Sequence, residues 1–370
     1  MRNLGLDMAR SLAILMVLVS HSRMFFTKFG DVQSLSFNGL LGVELFFVLS
    51  GFLIGGIIIR DLIEGNGSLI QFYSRRWLRT LPAYFLVLSI VILIAVWNHQ
   101  KWFYQHFLFI QNFNYEQLGF FGVSWSLSIE EWFYLLTPPC LLILTKLGKA
   151  NRKTLFFVFC ISVILLSVVA KIIYTYQYNP PWDAGIRKQI FLRMDSLMFG
   201  VMLAGIKYYF KPFYERVSSA HLFWVSLAMV VSIVLYYVVG LDGGRDRINH
   251  SIIGRTILFD AISIAFMLMI WSLEKSKRIN DIQGSLRKIC TFLAVTSYSV
   301  YLIHLEIFSF VNRKVESVYS IPTMFLVLFS TLVTVFILAY GLHRYWEKPF
   351  MNLREKRMAR IGIPKNNSTI

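Results

Sequence analysis

Ionisable side chains occur inside segments of this sequence that are otherwise apolar, and the first such segment carries Arg10 and His21. Eleven positions separate the two residues, so on a helix they share one face about 16 Å apart. Histidine titrates near neutral pH, which suits it to accept a proton from a hydroxyl group. We therefore predict that His21 is a catalytic residue. The structural alternative is a histidine that lies at the membrane interface.

A second group of polar residues lies in the block SWSLSIEEWFY. On a helix Ser126, Glu130 and Tyr134 stack on one face, whereas Glu131 points about 100° away from Glu130. A carboxylate that faces His21 would orient its ring, as the acid of a catalytic triad does. We predict Glu130 for this role, and the alternative is a hydrogen-bonded clamp between helices.

Other apolar segments also hold polar residues, and a charge at the centre of a bilayer costs at least about 2.5 kcal/mol on insertion scales. Each such residue is therefore expected to face a cavity or a partner. Arg193 and Asp195 have an equally good structural interpretation, because they could neutralise charges on neighbouring helices. The cavity-lining candidates are Asp7, Glu44, Ser126, Glu131, Tyr134, Arg193, Asp195, Tyr301 and His304.

The composition indicates a membrane protein. Of the 370 residues, 56% are hydrophobic and only 15% are charged, whereas soluble domains carry about 25% charged residues. A helix needs about 20 apolar residues to cross the hydrocarbon core, and ten segments approach this length. We predict an all-α integral membrane protein, a bundle of about ten transmembrane helices. The predicted spans are 8–24, 39–59, 82–97, 122–145, 154–175, 188–206, 220–240, 255–273, 290–311 and 321–343.

The loops predict the direction of these spans, because cytoplasmic loops carry an excess of Lys and Arg. Most of the Lys and Arg residues fall in alternate loops, and both termini lie on that richer side. We therefore predict that both termini are cytoplasmic and that His21 lies in the outer half of the bilayer. Arg75, Arg76 and Arg79 then lie at the cytoplasmic face, where guanidinium groups suit phosphate oxygens. Anchoring by the positive-inside rule is the alternative.

The chain is expected to hold one membrane domain, residues 1–345, and a cytoplasmic tail, residues 346–370, with no appended soluble domain. The aromatic segment 102–121 is interrupted by Gln and Asn residues, so we expect it at the outer membrane interface. The three cysteines form no CxxC pair and predict neither a disulfide framework nor a metal site. The net charge of +17 indicates topology and anionic lipid rather than nucleic acid, because the basic residues punctuate apolar spans.

Seven sequence features together resemble the membrane-bound acyltransferase-3 family and cover nearly the whole chain. They are Arg10 and His21 with ten residues between them, GVELFFVLSGF, RRWLRTLP, SWSLSIEEWFY, RMDSLMFG, SYSVYLIH and EKP, in the family's order. The resemblance implies an enzyme with ten membrane helices that moves an acyl group, usually acetyl, from cytoplasmic acetyl-CoA to an extracytoplasmic glycan. Acceptors in such families include O-antigen sugars, exopolysaccharides, lipo-oligosaccharides and peptidoglycan. Some members append a periplasmic hydrolase-like domain, which we do not expect here, so the two-domain mechanism of the peptidoglycan type is not expected either.

By position, the resemblance makes His21 the essential histidine, Arg10 its partner arginine and Glu130 the glutamate of the WSLxxE block. His21 is then expected to act in one of two ways. It either removes the proton of the acceptor hydroxyl for direct attack on the thioester, or carries the acyl group briefly itself.

The resemblance also makes Arg76 and Arg79 an RxxR pair, and we expect them to bind the phosphates of acyl-CoA together with Arg75 and Arg10. Acetyl-CoA or another acyl-CoA is thus expected as co-substrate, with no bound cofactor and no metal. The expected partners are membrane lipid and a free or lipid-linked glycan, without nucleic acid. The expected location is a bacterial inner membrane.

A proton-coupled secondary transporter is the alternative function, since intramembrane Asp, Glu, Arg and His residues also form proton relays. Many transporters are built from internal repeats with paired broken helices, and no such repeat is found in the sequence. A receptor or scaffold that retains a vestigial site is a third interpretation. It is disfavoured because every motif residue is present.

Overall fold

The computed structural model describes residues 2–30, 32–113, 119–238, 248–315 and 320–353, and the regular elements within these ranges are helical. This confirms the predicted all-α fold. We number the long helices of these ranges in chain order. They are α1 (Leu4–Ser22), α2 (Ser36–Ile57), α3 (Leu69–Trp97), α4 (Ser124–Leu147), α5 (Arg152–Tyr178), α6 (Met194–Tyr209), α7 (Ser219–Val238), α8 (Leu258–Lys275), α9 (Ser285–Lys314) and α10 (Ile321–Leu342). Shorter helical pieces include Lys211–Arg216, Ile252–Thr256 and Lys277–Asn280.

Eight helices of the described ranges are long and apolar enough to cross a membrane: α1 to α5, α7, α9 and α10. The helices α6 and α8, of 16 and 18 residues, coincide with the two other predicted spans, 188–206 and 255–273. Helix α6 begins later than predicted because its polar start forms a short 3-10 helix, Phe191–Arg193. The predicted span 220–240 ends in two residues that lie outside the described ranges.

Helix α3 begins 13 residues before the predicted span, which was expected to start at Pro82. Ser68 starts it with a capping box, in which the Ser68 hydroxyl accepts a hydrogen bond of 3.2 Å from the backbone N–H of Gln71. Pro82 consequently lies inside the helix. The prediction failed here because it started the helix only after the charged residues. A well-capped helix can carry arginines in its first turns. The arginine cluster is therefore part of α3 itself.

Helix α10 continues beyond the predicted domain boundary at residue 345. A π-helical turn, His343–Glu347, follows it, and the helix extends to Leu353. Glu347 is buried and accepts a hydrogen bond of 2.5 Å from the hydroxyl of Ser299 on α9. The start of the predicted tail is thus packed against the bundle, while residues 354–370 lie outside the described ranges.

The aromatic segment 102–121 folds back onto the start of α4. Gln111 and Asn112 are fully buried there. Their side-chain amides donate to the backbone carbonyls of Ser124 and Trp125, each at 3.1 Å. These bonds satisfy buried polar groups and fix the first turn of α4. Residues 114–118 of the segment lie outside the described ranges.

Helices α2 and α6 pack with their backbones in contact, because glycines face each other at the crossing. A Cβ atom at Gly51 of α2 would overlap the carbonyl oxygen of Leu197, and one at Gly200 of α6 would overlap that of Val48. Small residues allow such close approach between helices inside membranes. Both glycines belong to the sequence features that carry the family resemblance, so this contact gives those glycines a structural role.

The two ends of the bundle are recognisable from contacts between helix termini. Asn3, before α1, donates to the carbonyl of Glu274 near the end of α8 at 2.7 Å. Arg152, at the start of α5, donates to the carbonyl of Ile63 after α2 at 3.0 Å. Arg75 in α3 lies at the same end, which we call the basic end. Helix α1 spans 19 residues, so it carries His21 to the opposite end, about 28 Å away, which we call the histidine end.

The glycine contact predicts the effect of adding one methyl group. Gly200→Ala is expected to lower the free energy of unfolding of the purified protein by about 1–3 kcal/mol, because the added methyl group fits only if one of the two helices moves. Gly56→Ala in α2 is the matched control, since nothing lies within 4 Å of its Cβ position. Alanine is favoured over glycine in a helix by about 1 kcal/mol, so this control should be neutral or stabilising. Equal melting temperatures of the two variants in detergent would contradict the proposed close contact.

Candidate active site

His21 forms a pair with a second histidine, His304 of α9. The Nε2 atom of His304 lies 3.1 Å from the Nδ1 atom of His21, and the two ring centroids are 5.0 Å apart. His21 lies in the last turn of α1, and His304 is fully buried. The packing of α1 against α9 thus brings together two titratable residues that are 283 positions apart in the sequence.

The expected contact between Glu130 and His21 is not found, and this corrects the sequence prediction. Glu130 accepts hydrogen bonds from Ser50 Oγ at 3.0 Å and from Arg76 Nη2 at 2.9 Å. The physical reason is that its helix face is turned toward α2 and α3, where a guanidinium group offers a charge-assisted hydrogen bond. The ring of His21 is instead held by His304.

The predicted face of α4 nevertheless connects the histidine pair with Arg76. The hydroxyl groups of Ser126 and Tyr301 lie 2.5 Å apart, and Tyr301 precedes His304 by one helical turn. Glu130 lies one turn beyond Ser126. In the next turn the centroid of the Tyr134 ring lies 4.0 Å from the guanidinium carbon of Arg76. We call the resulting chain of side chains the polar column; it comprises His21, His304, Tyr301, Ser126, Glu130 and Arg76.

The adjacent carboxylate of Glu131 points to a different partner, as the helical geometry predicts. It accepts a hydrogen bond of 3.3 Å from Thr80 Oγ1 on α3. The hydroxyl of Tyr298 in turn donates to the backbone carbonyl of Thr80 at 2.9 Å. Glu131 therefore belongs to the packing of α4 against α3 and α9, beside the polar column.

The arginines expected to bind acyl-CoA occupy different environments. Arg75 donates to Asp61 at 3.0 Å at the basic end. Arg76 lies deeper in the bundle, paired with Glu130, which the sequence did not predict, and Arg79 is half-buried on the same helix. Arg10 forms no ion pair with the residues that the structure describes, although Arg76 lies within electrostatic range of it.

Asp7, one of the cavity-lining candidates, is buried and paired. Its carboxylate forms an ion pair with Arg2 Nε at 2.6 Å and accepts a hydrogen bond of 3.3 Å from Thr291 Oγ1 on α9. These contacts connect α1 with α9 at the basic end. They leave Asp7 little accessible surface with which to line a cavity.

Three further candidates, Glu44, Arg193 and Asp195, have no accessible surface and neutralise one another. Arg193 Nη2 lies 2.8 Å from both carboxylate oxygens of Glu44. Lys171 of α5 forms an ion pair with Asp195 and another, of 2.7 Å, with Asp260 of α8. These five residues, which we call the buried ion cluster, join α2, α5, α6 and α8. The structural interpretation of Arg193 and Asp195 therefore describes them better than a place on a cavity wall.

Arg187, the last residue of the short helical segment Trp182–Arg187 before α6, was not predicted as a site residue. Its guanidinium carbon lies 4.6 Å from the centroid of a Trp125 ring, and it pairs with Asp183. Burial opposes ionisation of Asp183, but Arg187 and Lys188 outweigh that effect and hold the pKa of this carboxyl well below its usual range. The spacing of Asp183 and Arg187, one helical turn apart, was the available sequence signal. Arg187 lies within electrostatic range of His21.

Long apolar helices around an internal column of titratable groups define an integral membrane protein with a site suited to acid–base chemistry. Among the described residues, no group of three or more His, Cys, Asp and Glu side chains could hold a metal ion.

The chain belongs to the acyltransferase-3 family, because the family's model, described as an acyltransferase domain, matches residues 3–344. The family's description as an acyltransferase domain supports a transferase enzyme, and it favours catalysis over transport as the explanation for the intramembrane charges.

Several bacterial proteins are similar to most of this chain. A protein of Staphylococcus aureus (strain COL), provisionally named an O-acetyltransferase, is 28% identical over 379 residues, covering 94% of this chain and 57% of that protein. The peptidoglycan O-acetyltransferase OatA of Listeria monocytogenes is 27% identical over 377 residues, covering 93% of this chain and 55% of that protein. The O-acetyltransferase OatA of Staphylococcus aureus (strain NCTC 8325) is 27% identical over 341 residues, covering 83% and 51%. The chain thus spans about half the length of the curated relatives it matches. No solved structure matches it.

The ion pair of Arg76 and Glu130 predicts strong coupling between α3 and α4. In a double-mutant cycle with Arg76→Gln and Glu130→Gln, we expect a coupling free energy of about 0.5–3 kcal/mol in thermal unfolding, because either single change leaves a partly buried charge without its partner. Arg152 and Glu64, which are 3.5 Å apart and more exposed, form the control pair. Exposed pairs contribute about 0–1 kcal/mol. A coupling no larger than that of the control would mean that the Arg76 contact does not hold the column together.

Proposed function

We propose that this protein is an O-acyltransferase that moves an acetyl group from acetyl-CoA to a hydroxyl group of an extracytoplasmic glycan. The observation that carries the proposal is the polar column, which extends through the interior from Arg76 to His21. An ordinary packed bundle would fill this position with apolar side chains, because each polar group in a membrane needs a partner.

The donor side of the reaction is the basic end. Arg75 and Arg79 lie on α3 at this end, and Arg10 adds a guanidinium group that forms no ion pair within 4 Å with a described carboxylate. The phosphates of CoA are suited to such groups, since guanidinium forks bind phosphate oxygens in pairs. We assign Arg76 a different task from the one first expected, because its charge is already directed at Glu130. It supports the column instead of serving as a primary phosphate ligand.

The acyl group must then reach His21. Helix geometry separates Arg10 from His21 by about 16 Å, a distance that the extended pantetheine arm of CoA covers. Ser126 and Tyr301 present hydroxyl groups between these two levels. In this proposal the arm follows the polar column, so that the thioester meets the acceptor beside the histidine pair.

The chemical step moves the acetyl group from the sulfur of CoA to the hydroxyl oxygen of the acceptor. His21 accepts the proton of the acceptor hydroxyl, and the resulting oxygen nucleophile attacks the thioester carbonyl carbon. A carbon–oxygen bond forms, the carbon–sulfur bond breaks, and the departing thiolate of CoA takes the proton from His21. Atoms and charges balance without a further reactant.

The membrane arrangement that fits this reaction has all ten long helices as spans, with both termini and the basic end in the cytoplasm. The excess of Lys and Arg in the loops at the basic end supports this orientation. A bacterial cytoplasmic membrane is the proposed location, since the relatives come from bacteria. The name of the Listeria relative makes peptidoglycan one acceptor to test, beside lipid-linked and surface polysaccharides.

Replacement of His21 predicts a loss of catalysis without a loss of protein. Membranes that contain His21→Ala at wild-type abundance should transfer label from radiolabelled acetyl-CoA to envelope glycans at least about 100-fold more slowly, because general bases contribute about 10²–10⁴-fold. His221→Ala, at an exposed histidine of α7, is the matched control and should retain wild-type transfer. Full activity of His21→Ala would exclude this histidine as the base. Absence of glycan label with the wild-type protein would contradict the acetyl-CoA reaction itself.

A further inference from the structure

We propose that His304 is a positioning residue that fixes the ring of His21 in the tautomer whose Nε2 atom is free to accept a proton. The inference rests on the proposed function, because it assigns a role within the same reaction. It is carried by the contacts of three of the four ring nitrogens, because the backbone carbonyl groups among their neighbours can only accept hydrogen bonds.

The hydrogen of His304 is fixed by the main chain. Its Nδ1 atom lies 2.8 Å from the carbonyl oxygen of Tyr301 and 3.1 Å from that of Val300. Carbonyl oxygens only accept hydrogen bonds, so Nδ1 must carry the hydrogen. In a neutral imidazole the other nitrogen is then an acceptor. Because the His304 side chain is fully buried, its acceptor nitrogen, Nε2, has no contact with solvent and must find its hydrogen-bond donor inside the protein.

That acceptor nitrogen faces His21. The Nδ1 atom of His21 lies 3.1 Å from His304 Nε2 and 3.1 Å from the carbonyl oxygen of Val17. Both neighbours are acceptors, so His21 Nδ1 carries the hydrogen and shares it between them. The unshared electron pair of His21 is therefore on Nε2, which is the nitrogen available to a substrate hydroxyl.

The backbone contact alone does not account for the arrangement. A histidine can donate to the carbonyl four residues earlier in its helix without any second ring. The His304 ring adds an acceptor that takes part of the positive charge when His21 becomes protonated on Nε2. In catalytic triads an ionised carboxylate supplies this support. Here the neutral ring of His304 takes its place, because Glu130, the carboxylate expected for the role, is paired with Arg76.

The surroundings make such support necessary. Two cationic side chains, Arg187 and Arg23, lie within electrostatic range of His21, and neither offers an acceptor for its ring hydrogen. Glu306, two residues beyond His304 on α9 and so on a different face of the helix, forms no hydrogen bond with the histidine pair among the described contacts. The His304 nitrogen, in direct contact with His21 Nδ1, is thus the side-chain acceptor that supports the ring, beside the backbone carbonyl of Val17.

Two substitutions separate the proposed role from simple packing. In His304→Gln the side-chain amide reaches the position of the ring Nε2 atom, so its oxygen can still accept from His21. In His304→Asn the amide reaches only the position of Nδ1, so it retains the backbone contact and loses the contact with His21. Both variants are uncharged and smaller than histidine, which makes them matched controls for loss of ring volume.

The experiment measures steady-state acetyl transfer by purified wild type, His304→Gln, His304→Asn and His21→Ala, with folded protein quantified by size-exclusion chromatography. We expect kcat of His304→Asn to fall roughly 10–100-fold with KM for acetyl-CoA unchanged, and that of His304→Gln to fall less than about 5-fold, by analogy with residues that orient histidine ligands. Equal losses in both variants, or a change confined to KM, would overturn the positioning role. If His304→Asn were fully active while His21→Ala was inactive, this inference would fail and the proposed function would stand. An inactive wild-type protein would instead contradict the proposed function.

Discussion

A charged side chain inside a bilayer must find a partner of opposite charge or a strong hydrogen-bond partner, and this constraint organises the interior of the protein. Arg76 satisfies it by pairing with Glu130, which connects α3 and α4. The same requirement explains why Ser50 of α2 also donates to Glu130. Three helices thus meet at one carboxylate. The spacing of polar residues on α4 then directs Ser126 toward Tyr301 and the histidine pair.

Two polar assemblies in the same bundle satisfy that constraint differently. The buried ion cluster of Glu44, Arg193, Asp195, Lys171 and Asp260 is closed, because its charges pair within the cluster and most of its members have no accessible surface. The polar column is a chain instead, and its two ends are a cation and an imidazole. A closed cluster holds four helices in register, and a chain that ends in a titratable nitrogen can take part in proton transfer. The sequence does not separate the two assemblies, because one motif contains both Glu44, a member of the buried ion cluster, and Ser50, which donates to Glu130 of the polar column.

Helix periodicity and the cost of intramembrane charge were enough to predict the all-helical fold, the stacking of Ser126, Glu130 and Tyr134, and the divergence of Glu131 from Glu130. They could not predict which neighbouring helix each face meets. Glu130 was therefore assigned to the wrong partner, and His304 was treated only as a cavity residue. Lys171, inside the predicted span 154–175, and Glu347, beyond the predicted span 321–343, were not predicted as buried partners, because hydropathy does not show which helix each side chain meets. Arg187 lies before the start of the predicted span 188–206, in the short helical segment Trp182–Arg187, so the cost of intramembrane charge did not point to it.

The central claim is that one protein connects a donor at the basic end with an acceptor at the histidine end. The most direct measurement uses proteoliposomes with radiolabelled acetyl-CoA outside and a glycan acceptor either enclosed or outside. Molecules whose basic end faces outward are expected to label the enclosed acceptor, and label should be absent when donor and acceptor are both outside. Labelling only when the two substrates share one compartment would contradict the account.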